Sequence, residues 1–320
     1  MKHLERALDG QNKFGKYVAM TLIIFLGAST IGSIPLMMVM VIKWVMKGGS
    51  LDPSSVSNMM NLSWLGISNN LTYFLMLLAF VATFFAFKWL VKPFHKRTLN
   101  ETINGRAYIR KDRIGAGILV WGVISAIMLI IGLLTSPEEY QYQFNPGAFI
   151  PLVLITVIVM PFQTSFEEIF FRGYLSQGVA AWTKSRWWTL VIIALLFGLM
   201  HIANPEVKEF GFWLSMPQYI IMGLLLGLIS ILDDGIELAL GIHFANNAFS
   251  ALFLTYESSV LQTDAVFKTI DVHPETDTFW LIIAAIITVL FFKRRYKWDF
   301  RIMNKKVEVT PPPVPEAIAE

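Results

Sequence analysis

The segment Ile114–Pro137 reads IGAGILVWGVISAIMLIIGLLTSP and carries no charge. A membrane-spanning helix needs about 20 mostly apolar residues, and this run is long enough to be one. Its apolar residues are continuous and do not alternate with polar ones, so a barrel strand is excluded. Working outward, seven further apolar stretches occur at roughly 17–42, 70–91, 148–175, 187–204, 213–232, 236–256 and 278–292. The first starts too late, and is too long, for a cleaved signal peptide. The expected fold is all-α: a polytopic membrane helical bundle of about eight transmembrane helices. Composition agrees. Of 320 residues 55% are hydrophobic and 15% charged, with a mean hydropathy of +0.56. A soluble domain carries about 25% charge. The absence of cysteine excludes disulfides, thiolate–zinc sites, iron–sulfur clusters and thiol nucleophiles.

Lys and Arg orient the spans. They concentrate before the first span (Lys2, Arg6, Lys13, Lys16), between Lys88 and Arg113, and after the last span from Lys293 to Lys306. With eight spans these segments fall on one side, which takes 22 basic residues and leaves 4 on the other. Both termini are therefore expected in the cytoplasm. The basic residues flank apolar runs, so they read as membrane orientation and not as nucleic-acid binding. The chain divides into an N-terminal segment with a two-helix hairpin (1–100), a core (114–256), an external loop with the last span (257–292), and a basic, Pro-rich cytoplasmic tail (293–320), disordered from 308 onward.

Ionisable groups inside spans are expensive and point to function. Three groups stand out: Phe166-Glu167-Glu168-Ile169-Phe170-Phe171-Arg172-Gly173, Phe197-Gly198-Leu199-Met200-His201 and His243-Phe244-Ala245-Asn246-Asn247. Glu168 and Arg172 are four apart and share a helix face, so they can pair. Glu167 lies about 100° round the helix without such a built-in partner, and is the carboxylate left for proton transfer. His243 and Asn247 are also four apart and offer two donors toward one point, as an oxyanion hole requires. A purely structural reading makes all of these interhelical ties. Depth favours a shared site. If the fourth helix runs to about residue 177, Glu167 lies roughly 15 Å from its cytoplasmic end, with His201 about 20 Å and His243 and Asn247 about 12–18 Å from theirs. The set suits hydrolysis of an acyl bond: Glu167 deprotonates water, His201 orients it, and His243 with Asn247 stabilises the oxyanion. Glu167, His201 and His243 could instead hold a zinc ion with a bound water. No HExxH occurs.

The three motifs, EExxxR at Glu167–Arg172, FxxxH at Phe197–His201 and HxxxN at His243–Asn247, resemble those of the CAAX protease and bacteriocin-processing (CPBP) family of intramembrane proteases. That family includes the type II CAAX prenyl endopeptidases and bacterial Abi-type proteins. The resemblance covers residues 114–256 and no motif position departs from it; Asn246 falls outside the pattern. It implies a cytoplasm-facing endopeptidase in which Glu167 and His201 activate water and His243 with Asn247 forms the oxyanion site, supported by Glu168 and Arg172. The family is usually named a metalloprotease, and a glutamate-dependent mechanism without metal has also been argued, so zinc and no cofactor both remain open. The implied partners are membrane lipid and a membrane-bound peptide or protein, prenylated or carrying a leader. The implied location is a cell membrane, with short loops of bacterial inner-membrane character; oligomeric state is open.

Other readings are a non-catalytic scaffold or bacteriocin-immunity protein on the same fold, and a prenyl transferase. For the latter, Asp233-Asp234-Gly235-Ile236-Glu237 loosely resembles an aspartate-rich magnesium motif. Such enzymes need two acidic motifs, and acids at a helix N-terminus are favoured by its dipole. No internal repeat supports a transporter, and no GxSG supports a serine protease.

Overall fold

The computed structural model describes residues 3–9, 11–49 and 62–308. Most of the tail expected to be disordered, from residue 309 on, lies outside them. Every expected span is a helix. In chain order these are α1 (Phe14–Met46), α2 (Asn69–His95), a short α3 (Leu99–Ile103), α4 (Lys111–Thr135), α5 (Pro146–Thr183), α6 (Arg186–Met200), a short α7 (Pro205–Phe210), α8 (Phe212–Leu232), α9 (Glu237–Phe253) and α10 (Pro274–Tyr296). Six of them, α1, α2, α4, α5, α8 and α10, are long and apolar enough to cross a membrane. Helix α6 has 15 residues and α9 has 17, below the roughly 20 a lone span needs. Much of α9 is shielded by protein instead of lipid, from Glu237 through His243.

Close approach by small residues joins α4 to α9. A Cβ on Gly117 or on Gly241 would collide with the facing helix backbone, at Leu238 and Ile114 respectively. Between membrane helices, packing of this kind replaces the hydrophobic drive available in water. Lipid-facing surfaces of α1 and α4 are correspondingly apolar, with Ile31, Met38, Val41, Leu119, Ile127 and Leu134 exposed.

Helix α5 is longer than expected. It continues past residue 177 to Thr183, with a turn at Val159 and a π-helical stretch at Ile169–Leu175. Glu167 therefore sits about 24 Å from its basic end, not 15 Å.

The three basic segments meet at one end of the bundle. The His3 amide donates to Asp234 Oδ1 (2.9 Å), and Gln177 Nε2 donates to the His3 carbonyl (2.9 Å). Arg186, between α5 and α6, pairs with Glu5 and donates to the Lys305 and Lys306 carbonyls. Arg110 grips Glu237 through Nε and Nη2 and reaches Asp233 at 3.0 Å; Arg113 also pairs with Asp233, and Trp298 Nε1 donates to it. Burial pushes the Asp233 carboxyl up from its ordinary value, against the pull of Arg110 and Arg113. Burial likewise pushes the His3 imidazole down, with Asp234 opposing. The acids of Asp233–Glu237 are thus committed to arginines, which leaves the magnesium-motif reading without free carboxylates at Asp233 and Glu237. At the opposite end, strands β1 (Tyr140–Tyr142), β2 (Leu254–Thr255) and β3 (Phe267–Thr269) form a small sheet in the order β1-β3-β2, antiparallel then parallel.

Candidate active site

The site lies where α5, α6 and α9 converge. Glu168 and Arg172 are both fully buried, and Arg172 Nη1 donates to Glu168 Oε1 at 2.8 Å, as their spacing requires. The π-helical stretch begins right after Glu168; such turns occur often at functional sites. Arg172 Nε and Nη2 have no hydrogen-bond partner, and the guanidinium lies 4.1 Å over the Phe197 ring. A cation on an aromatic face recovers part of what those bonds would supply.

His243 is held by the same glutamate. Its Nδ1 lies 2.7 Å from Glu168 Oε1. A carboxylate paired to arginine accepts, so Nδ1 carries the proton and donates. Nε2 then faces Glu167 Oε2 at 3.7 Å and Asn247 Nδ2 at 3.3 Å. Asn247 Nδ2 also donates to Gln163 Oε1 (3.1 Å), and Gln163 Nε2 donates to Glu167 Oε1 (2.6 Å). Glu167 therefore does have a helical partner, four residues before it and not after, which corrects the sequence expectation. Its other oxygen, Oε2, is buried and has no hydrogen-bond partner.

His201 stands beside this network without a hydrogen bond to it. It caps the C-terminal end of α6, and its Nδ1 lies 2.7 Å from the Phe197 carbonyl, to which it donates. The free ring nitrogen is Nε2, an acceptor. The ring stacks on Tyr219 (4.4 Å, 21°) and meets Phe197 at a tilt (4.6 Å, 53°), while Phe197 also meets His243 edge-on at 6.1 Å. Phe197 is thus the hub between Arg172, His201 and His243. Glu167 and His243 lie within electrostatic reach of His201. Beyond Tyr219 a cavity of about 30 Å³ is lined by Glu206, Ser215, Tyr219, Tyr256 and Asp277. Burial pushes the Glu206 carboxyl above its ordinary value.

The structure joins Glu167, Glu168, Arg172, His243 and Asn247 in one hydrogen-bonded cluster, with His201 packed alongside. It adds Gln163, Asn246 and Tyr219, which the sequence reading passed over. Gln163 was findable from its i, i+4 spacing to Glu167; Tyr219, on another helix, carried no local signal. Among the described residues no group of three or more His, Cys, Asp or Glu side chains is placed to hold a metal ion. The Nδ1 atoms of both histidines donate to other acceptors, which leaves Nε2 as the ring nitrogen available on each.

Fold and site define a multi-pass helical membrane protein with a buried carboxylate–histidine–amide cluster. Residues 146–249, from the start of α5 into α9, match the sequence model of the type II CAAX prenyl endopeptidase Rce1-like family. The match is narrower than the 114–256 of the motif resemblance and leaves out α4. An uncharacterized protein of Bacillus subtilis (strain 168), YyaK, is 34% identical over 174 residues, which is 54% of this chain. The aligned region covers 58% of that relative's length. No solved structure matches the chain significantly.

Proposed function

We propose that the chain is an intramembrane endopeptidase that hydrolyses a peptide bond of a membrane-associated substrate, prenylated or carrying a leader segment, with Glu167 as the base. The observation that carries this reading is the Glu167 carboxylate, anchored by Gln163 at one oxygen and without a hydrogen bond at the other, 3.7 Å from His243 Nε2, inside the segment that matches the Rce1-like model. A water on Oε2 gives its proton to Glu167 while its oxygen bonds to the scissile carbonyl carbon. The carbonyl electron pair moves onto oxygen. Collapse then breaks the C–N bond, and Glu167 returns the proton to the leaving amine. His201 Nε2, an acceptor, helps orient the water.

Asn247 Nδ2 and His243 Nε2 converge within 3.3 Å, which suits them to the oxyanion. For Nε2 to donate while Nδ1 donates to Glu168, the His243 ring must carry both protons. The shared end of the three basic segments supports cytoplasmic termini and a cytoplasm-facing site, in a cell membrane of bacterial inner-membrane type. The second reading, a scaffold or immunity protein, keeps the same contacts as ties between helices.

The test is cleavage of a panel of membrane-inserted peptides, some prenylated, by purified wild type and Glu167→Gln in parallel. Loss of cleavage in a folded variant is expected, by about 100-fold or more for a general base. Retained cleavage would remove Glu167 as the base. An unchanged turnover on chelation is expected of a metal-free base; loss of turnover restored by zinc would assign Glu167, His201 and His243 to a metal instead.

A further inference from the structure

The hydrogen bond on Glu167 Oε1 is the last of a series that crosses three helices. Trp121 Nε1, on α4, donates to Asn246 Oδ1 on α9 (3.1 Å). Asn246 Nδ2 donates to Asn247 Oδ1 (3.1 Å), Asn247 Nδ2 to Gln163 Oε1 on α5 (3.1 Å), and Gln163 Nε2 to Glu167 Oε1 (2.6 Å). An indole N–H can only donate, so Asn246 must turn its oxygen toward Trp121 and its NH2 away. That choice orients Asn247, which in turn orients Gln163. The series ends on a carboxylate, which accepts. Both ends impose the same direction, so none of the three amides is free to flip. Aligned bonds of this kind reinforce one another.

We propose that Trp121, Asn246 and Gln163 are positioning residues for the Glu167 carboxylate, holding it by Oε1 so that Oε2 alone is presented to water and to His243. This rests on Glu167 being the base. Trp121 is buried (3% exposed), as is Gln163. Trp121 lies outside the matched segment 146–249. The relay therefore extends the site into α4, whose contact with α9 is fixed by Gly117 and Gly241. If the bonds served only to tie helices, their common direction toward Glu167 would be immaterial.

The test uses the full chain in detergent or proteoliposomes with a peptide that wild type cleaves. Gln163→Leu, Asn246→Leu and Trp121→Phe are expected to lower kcat, by up to about 100-fold for Gln163→Leu and less with distance from Glu167, at unchanged KM. The second readout needs no substrate. The indole ¹⁵N–¹H resonance of Trp121, assigned by its loss in Trp121→Phe, is expected to move in Gln163→Leu and in Glu167→Gln. An inactive Glu167→Gln together with full kcat in Asn246→Leu and Trp121→Phe overturns the relay and leaves Glu167 as the base. An active Glu167→Gln overturns the base, and the relay's purpose with it. An indole resonance indifferent to both substitutions overturns the relay whether or not a peptide is cleaved.

Discussion

The protein buries two clusters of acids and arginines, and they are satisfied differently. At the basic end, Glu237 takes two bonds from Arg110 and one from its backbone amide, and Asp233 is shared by Arg110, Arg113 and Trp298. In the site, Glu167 and Glu168 have one arginine between them, and Glu167 Oε2, Glu168 Oε2, Arg172 Nε and Arg172 Nη2 have no hydrogen-bond partner. A buried polar atom left unpaired is costly. Saturation marks the first cluster as a clasp between chain segments. The second is under-saturated, as Glu5 Oε2 and Arg186 Nε at the basic end also are, and its spare oxygen at Glu167 lies beside His243 Nε2, where the proposed reaction needs it.

The comparison can be broken at four points. Arg172→Ala strands Glu168 and loosens His243, and is expected to destabilise the protein by about 3–5 kcal/mol. Unfolding in detergent measures this, and unchanged stability would sink the ion-pair assignment. Asn247→Ala removes one oxyanion donor, for a loss in kcat of about 100- to 1,000-fold; a loss confined to KM would instead assign Asn247 to binding. Arg110→Met strands the buried Glu237 and is expected to cost about 3 kcal/mol, the low end of the Arg172→Ala range, because Asn104 still donates to Glu237 and Arg113 still serves Asp233. Its turnover per folded molecule should equal wild type, and a fall would erase the distinction between clasp and site.

The smallest effect concerns Glu206, whose folded proton affinity burial raises above the ordinary value of 4.5. A raised value means the folded state holds the proton more tightly. The resulting stability is complete below about 4.5 and is lost as pH rises through the folded value. Wild type should lose thermal stability from acid to neutral pH, and Glu206→Gln should lose less. Identical profiles would show Glu206 to be compensated by another group.

Much of this was legible before any coordinates. The eight apolar stretches were readable as helices because a long apolar run has few alternatives in lipid. Glu168–Arg172 was readable because four residues make one helical turn. The length of α5 was misjudged because nothing at Gly178 or Ala180 announces or forbids a stop, and the helix ends only at Lys184 in a left-handed conformation. The acids at Asp233 and Glu237 were read as helix-start residues; their arginine partners at 110 and 113 are more than 100 positions away and left no local trace.

By itself, then, the sequence determined a helical membrane bundle and the side chains that could do chemistry in it. Both follow from local quantities: the length of apolar runs, helical spacing, and the cost of a charge in lipid. Only the tertiary structure decided that Glu168 holds His243 as well as Arg172, that Gln163 occupies one oxygen of Glu167, and that the His201 and His243 rings spend their Nδ1 atoms elsewhere. Those outcomes depend on how each helix is rotated and how closely α4, α5, α6 and α9 approach. Packing between residues such as Gly117 and Gly241 sets that geometry, and no periodicity within one helix records it.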